Sequence, residues 1–240
     1  MTAKKASLSK TVAANGKRLL MEAALKLTAK TRSLNALGLR ELAREAGLNP
    51  NTFYRHFANI DELGLAIVEE MSHQIRQPLR DLRRQAAESV MPSDQAHISW
   101  EENPALNLQK ATLVNQTTVR LFFDFVEQNP NAFIIGVREL HGASPALRKA
   151  LRKVMADFAE DMGEDIRQLN LLPMLDDETL QEVATAVSRE MFQLSMDYIE
   201  QPEQRDKILQ QAETLVTTLF TGAAVLKGHG GLLVRALGVQ

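Results

Sequence analysis

From Gly16 onward the apolar residues of this chain fall at helical rather than alternating spacing, and that pattern decides most of what it can fold into. Leu19, Leu20, Ala23, Ala24 and Leu27 recur at steps of three and four, one face of a helix that ends near Lys30. Leu39, Leu42, Ala43 and Ala46 repeat the pattern in a short second helix stopped by Gly47. Asn49-Pro50 restarts the chain, Asn as N-cap and Pro at the first helical position, for a third helix of barely two turns to His56. Asn59, with Glu62 three residues on, opens a fourth. It runs to Gln77, or on through Pro78 to Gln85 with a kink.

Residues 86–107 are polar, contain two prolines and lose the periodicity, and so read as a long loop or lid. Helical spacing returns at 108–127, 131–141 and 144–169, the last opened by Ser144-Pro145. Asp176-Asp177-Glu178 places carboxylates at the positive end of a further helix to Tyr198, and a last helix spans 204–227. Aromatics make up only 5% of the chain, which argues against a β-sandwich. The expected fold is all-α, about nine helices, divided into a flexible basic arm at 1–14, a three-helix head at 15–58, a helical bundle at 59–227 and a poorly ordered tail at 228–240.

Charge separates head from bundle. Residues 1–56 hold 11 Lys/Arg against 3 Asp/Glu, whereas residues 57–240 hold 17 against 27. A basic head on an acidic body suits a polyanionic partner, a solvated basic face being the plain alternative. With no cysteine, disulfides, thiolate metal sites and cysteine nucleophiles are excluded together. The five histidines, His56, His73, His97, His141 and His229, are scattered without metal-ligand spacing. No nucleophile-elbow, dinucleotide or phosphate-loop motif occurs, so neither enzyme nor cofactor nor metal is expected. No apolar run approaches a membrane span, no apolar stretch follows the polar start Met1-Thr2-Ala3-Lys4-Lys5, and a cytoplasmic location is expected.

The last two of the three short helices, joined by Gly47-Leu48-Asn49, form a helix-turn-helix candidate: Gly47 permits a left-handed turn, Leu48 plugs the space between helices, and the second helix projects its first side chains outward. Leu39-Arg40-Glu41-Leu42-Ala43-Arg44-Glu45-Ala46-Gly47-Leu48, Asn51-Thr52-Phe53-Tyr54-Arg55-His56-Phe57 and Asp61-Glu62-Leu63 together resemble the DNA-binding head of TetR-family regulators, over residues 16–70. Phe53 to Phe57, Asp61-Glu62-Leu63-Gly64-Leu65, Asn129-Pro130-Asn131-Ala132-Phe133 and Arg138-Glu139-Leu140 are similar to the branch that represses unsaturated fatty-acid synthesis and is regulated by fatty acyl thioesters. The resemblance implies a homodimeric repressor that binds palindromic double-stranded operator DNA and answers to a small hydrophobic ligand.

Carried over position by position, it makes Asn51 and Thr52 base readers and Tyr54 and His56 contacts to the DNA backbone. Arg40, Asn49, Arg55, Lys17 and Arg18 complete the expected DNA-binding set, with Lys4, Lys5 and Lys10 of the arm in support. Phe53 and Phe57 are expected in the core. The expected effector is a long-chain acyl-CoA or fatty acid, lined by Phe122, Phe125, Phe133, Val137, Arg138, Phe158, Met162 and Phe192, with Arg148, Lys149, Arg152 and Lys153 as further cations for its head group. Arg138-Glu139, late in an apolar helix, needs partners: an ion pair or helix cap within the chain, or a polar ligand head for Arg138. Val187, Met191, Leu194, Leu215, Leu219 and Ala223 are the expected dimer interface. Two other readings remain at this stage, a relative responding to an aromatic or drug-like effector in efflux control, and a helical ligand carrier or enzyme with an incidental basic head.

Overall fold

The computed structural model describes the backbone of residues 2–28, 33–90, 100 and 102–226, and side chains from Asn15 onward within these. Every regular element among the described residues is a helix. The α-helices are α1 (Thr2–Thr28), α2 (Leu39–Glu45), α3 (Ile60–Val90), α4 (Pro104–Gln128), α5 (Pro130–Leu140), α6 (Pro145–Gln168), α7 (Asp177–Glu200) and α8 (Arg205–Ala224). Tighter 3-10 turns span Leu34–Ala36, Pro50–Arg55 and Pro202–Gln204. Eight α-helices with the six-residue 50–55 helix make the all-α fold that the periodicity predicts.

Local sequence explains the boundaries. Gly47 adopts φ +67° after α2, and Leu48 N donates to Ala43 O at 2.8 Å, closing the helix through a left-handed residue. The Asn59 Oδ1 accepts from Glu62 N at 2.9 Å while Glu62 Oε2 accepts from Ala58 N, a reciprocal cap shifted by one residue from the usual box. Ser144 Oγ accepts from Leu147 N at 3.2 Å and Asp176 Oδ1 from Thr179 N at 2.7 Å, starting α6 and α7.

Three expectations need correction. Helix α1 begins at Thr2, so backbone placed in a flexible arm at 1–14 is helical from residue 2; the stretch holds no Gly or Pro and is rich in Ala and Lys, good helix formers. The side chains of Lys4, Lys5 and Lys10 lie outside the described residues. Helix α3 continues through Pro78 to Val90, and α4 starts at Pro104, so the polar stretch at 86–107 is a connection only between those ends. Residues 91–99 and 101 of that stretch, and the tail from 227, lie outside the described residues. Pro78 lies inside α3 and is exposed.

The chain divides into two compact units, Met1–Ser72 with Asn129–Val154, and His73–Gln128 with Met155–Gln240. The first, the head unit, is larger than the expected 15–58. Its apolar core of Leu20, Ala24, Leu34, Leu42, Phe53, Phe57 and Leu63 also takes in Ile135 of α5 and Leu147 of α6. Polar contacts fasten α5 in place: Arg138 Nη1 donates to Thr28 O, the last carbonyl of α1, at 3.1 Å, and the buried Glu139 accepts from Leu34 N at 2.8 Å. The need of Arg138-Glu139 for partners is met in part by these contacts within the chain, with Glu139 Oε2 buried and without a hydrogen-bond partner among the described residues.

The second unit, the body, is held by charge as well as by apolar packing. Arg76, Arg80 and Arg83 line one side of α3, and Asp157, Asp161, Glu164 and Asp165 face them from α6. Arg76 grips Asp161 through two bonds of 2.7 and 2.9 Å. Arg83 meets Asp165 at 2.6 and 2.7 Å with both side chains almost wholly buried. Burial pulls the Arg83 guanidinium below its ordinary pKa, whereas the hydrogen bond that Arg76 donates to Asp161 holds Arg76 above. At the far end of α6, Lys110 Nζ donates to Leu169 O at 2.7 Å and Trp100 Nε1 to Asn170 O at 3.0 Å, capping carbonyls the helix leaves open. Burial lowers the Lys110 ammonium.

Candidate nucleic-acid interface

The recognition segment is a 3-10 helix of six residues, Pro50–Arg55, too short to hold itself together and therefore dependent on its anchors. Phe53 is fully buried, its ring edge-on to Tyr54 at 5.5 Å and tilted against Phe57 at 5.8 Å. Both phenylalanines are core residues, as expected. Asn49 Oδ1 accepts from Asn51 N at 2.9 Å and caps the segment, with Pro50 behind it. Its side-chain oxygen is thus engaged by the backbone, as the N-cap reading expects.

With the two rings inside, the polar side chains have one way to point. Asn51, Tyr54 and Arg55 are exposed, Tyr54 at 64% of its surface, a high exposure for a tyrosine. Thr52 is half-buried between them and the core. Arg40 projects from α2, and Lys17 and Arg18 from α1. Lys17 Nζ stands 6.0 Å from the centre of the Phe57 ring, and Arg18 is paired with Glu22 and Asn15. His56 is half-buried for a specific reason. A Cβ at position 16 would lie 2.6 Å from its Nε2, so Gly16 is the residue that lets the imidazole edge seat against α1. The expected DNA-binding side chains with described positions therefore belong to one unit, and all but Thr52 and His56 are exposed.

The expected ligand residues are divided between the two units. Phe133, Val137 and Arg138 belong to α5 in the head unit, with Arg138 spent on the end of α1, whereas Phe122, Phe125, Phe158, Met162 and Phe192 belong to the body. Helical spacing marks which residues are covered and carries no information about which neighbour covers them. In the body those five are all half-buried. Phe122 stands edge-on to Phe123 at 5.3 Å, and Phe123 packs on Tyr198 at 4.8 Å. An open cavity of about 420 Å³ is lined instead by Val90, Ala105, Leu108, Gln109, Thr112, Leu113 and Gln116, none of them singled out by sequence. Among the dimer candidates, Val187, Met191 and Leu194 are buried within the protomer's own body, where α7 packs on α8 and α4; Leu215, Leu219 and Ala223 on α8 remain half-buried.

Sequence reading also passed over the arginine–aspartate ladder. The signal was present: basic residues at 76, 80 and 83 and acidic ones at 157, 161, 164 and 165 share the same helical period. Among the described residues no cluster of potential metal ligands occurs and no helix is long and apolar enough to cross a membrane.

Comparison with known proteins meets this geometry at the head. Residues 20–67 match the bacterial regulatory proteins, tetR family. Solved structures share the fold over most of the chain. The fatty acid degradation regulator FadR from Bacillus halodurans aligns with a TM-score of 0.62 at 13% identity, covering 86% of this chain and 95% of its own. FadR from Bacillus subtilis, in complex with stearoyl-CoA, aligns at 0.56 and 15%, covering 85% and 98%. SmeT, in complex with triclosan, aligns at 0.58 and 16%, covering 87% and 90%. The head therefore matches the sequence pattern of the tetR family over residues 20–67, and the chain as a whole shares the fold of these solved structures.

Proposed function

We propose that this protein is a TetR-family transcriptional regulator, a cytoplasmic, homodimeric repressor that reads a palindromic operator through Asn51 and Thr52 and grips the phosphates through Tyr54, Arg55, Arg40, Lys17 and Arg18, with His56 beside them. The observation that carries the reading is the outward polar face of the recognition segment over a buried Phe53. Recognition by so short a segment covers few base pairs, so a second copy related by two-fold symmetry supplies the other half-site. The half-buried Leu215, Leu219 and Ala223 of α8 offer the apolar surface for that pairing. The protein acts by binding, with no catalytic step and no cofactor or metal.

Mobility shifts with the protein's own upstream DNA, run across a salt series, test this. Sequence-preferring binding that weakens steeply with salt supports it. Equal binding to operator and random DNA at modest salt rejects it. Leu219→Glu should halve the sedimenting mass, and a folded variant that stays dimeric moves the interface elsewhere.

For the effector we favour a long-chain acyl group, as its CoA thioester or free acid, held in the body among Phe122, Phe125, Phe158, Met162 and Phe192. Support comes from their half-covered state and from the stearoyl-CoA complex of the similar Bacillus subtilis regulator. Each buried methylene contributes about 0.8 kcal/mol, so operator release should depend strongly on chain length. The triclosan complex of SmeT favours a second reading, an aromatic or drug-like effector in efflux control. Titrating acyl-CoAs of graded length and triclosan against a preformed operator complex separates the two: response to an aromatic compound with none to any acyl chain selects the second.

A further inference from the structure

Helix α1 carries a single glycine, Gly16, well inside its span. Glycine is the poorest helix former after proline, and a positive φ would justify it. Gly16 has none: among the described residues Gly47 is the glycine with that conformation. The backbone at position 16 would therefore accept a side chain, and the space around it does not. Gly16 is buried, and a Cβ on it would lie 2.6 Å from His56 Nε2, 3.3 Å from Cε1 and 3.5 Å from Cδ2. The imidazole thus meets α1 with its Nε2 edge, and Nδ1 lies on the far side of the ring.

His56 closes the recognition segment, its N donating to Phe53 O at 2.9 Å. Phe57 follows, sealed in the head core, with its own N on the same carbonyl at 2.9 Å. On the other side of the contact, Lys17 follows Gly16, and its Nζ stands 6.0 Å from the centre of the Phe57 ring. Two consecutive residues of α1 therefore meet two consecutive residues at the end of the segment. The His56 ring, half-buried and tilted at 60° to Phe57, is confined between them. A ring already confined in the free protein has less rotamer freedom to lose when it binds something.

We propose that Gly16 is a positioning residue for DNA binding: the Cβ it lacks makes room for the His56 ring, which is thereby held to donate from Nδ1 to a backbone phosphate. The inference rests on the proposed DNA contact of His56. Gly16 Cα offers Nε2 no acceptor, which leaves Nδ1 as the donor of the neutral ring. The clashing atom is the tip of a side chain free to change rotamer, so a Cβ at position 16 would swing the ring aside with little harm to the fold. Alanine also favours α1 more than glycine does. The substitution should therefore show in binding and not in stability, the opposite of an ordinary packing defect.

The test titrates operator and random-sequence DNA with the full-length parent, Gly16→Ala, His56→Ala and the double variant. Gly16→Ala should weaken both DNAs alike, by about tenfold, the worth of one charge-assisted hydrogen bond. In the His56→Ala protein, where no ring remains to displace, the same change should add less than about twofold. Thermal melting should hold or rise in both proteins that carry Gly16→Ala, relative to their own backgrounds. In the DNA-free protein, Gly16→Ala should shift the imidazole NMR signals of His56 and leave those of the exposed His141 in place. Parent-like binding by Gly16→Ala overturns the proposal, as does an undiminished loss in the His56→Ala background, or unmoved His56 signals. A parent that prefers no DNA sequence rejects the regulator reading itself, before any variant is compared, and this inference falls with it.

Discussion

In the head, Leu20, Leu34, Leu42, Phe53, Leu63 and Leu147 are sealed from solvent and the functional side chains stand outside them. In the body, Phe122, Phe125, Phe158, Met162 and Phe192 stay half-covered while Arg83, Asp161 and Asp165 are buried. The first arrangement suits a rigid reading surface, whose rotamers a dense core keeps fixed. The second leaves apolar side chains half-covered, which suits the proposed ligand or partner copy, and fastens its helices with directional charge pairs as well. A head is finished by folding; a body of this kind is finished by binding.

The sharpest way to break that contrast is to remove one rung of the ladder. Arg83→Met leaves the buried Asp165 carboxylate with Arg80 alone, at 3.0 Å, and should cost up to about 3–5 kcal/mol. Trp100, the only tryptophan, is buried in the body and reports its unfolding in urea by fluorescence. Arg83→Met/Asp165→Leu, which removes both charges, should regain most of the loss. If the single change costs under about 1 kcal/mol, charge does not hold the body together.

A second experiment asks where the head ends. Leu147→Ala empties a fully buried position of the head core from a helix more than eighty residues away in sequence, and should cost about 2–5 kcal/mol. Hydrogen exchange should rise over residues 20–67. Protection unchanged there would return the head to the smaller unit that sequence suggests.

What could be read beforehand follows the range of the interaction. Gly47, Asn49-Pro50, Asn59, Ser144 and Asp176 do their work within four residues, so their roles as stop and start signals are visible in a string of letters, and the structure has each of them there. The fastening of α5 to the head depends on Glu139 finding Leu34 N across 105 residues, and the ladder on contacts across about 80. Periodicity says that such residues share a face. It does not say what the face meets: Val187, Met191 and Leu194 are already buried by the protomer's own packing.

The exposed face of the recognition segment can be sharpened residue by residue. Asn51→Ala should lose about 1–3 kcal/mol at one base-pair position of each half-site and little on random DNA. Tyr54→Phe should weaken operator and random DNA alike. Equal loss on both DNAs for Asn51→Ala would make it a phosphate contact and leave specificity to Thr52.

The smallest effect separates Asn49 from its neighbours. Its Oδ1 is occupied by the Asn51 amide, so its contribution runs through the shape of the segment. Asn49→Ala removes the cap, which should cost about 1 kcal/mol of stability and lower binding to every DNA sequence by the same modest factor. Asn49→Ser keeps an oxygen in capping range and should restore both. Asn49→Asp keeps the cap as well, and adds a negative charge beside the phosphates; stability should hold while affinity falls at low salt and recovers relative to the parent as salt rises. A base-reading asparagine would behave otherwise, with Ser and Asp both changing which base pair is preferred and Ala relaxing that preference. The three substitutions therefore divide cap from contact at a single position. They also test the head's central property, that what the recognition segment shows to DNA is set by what it hides.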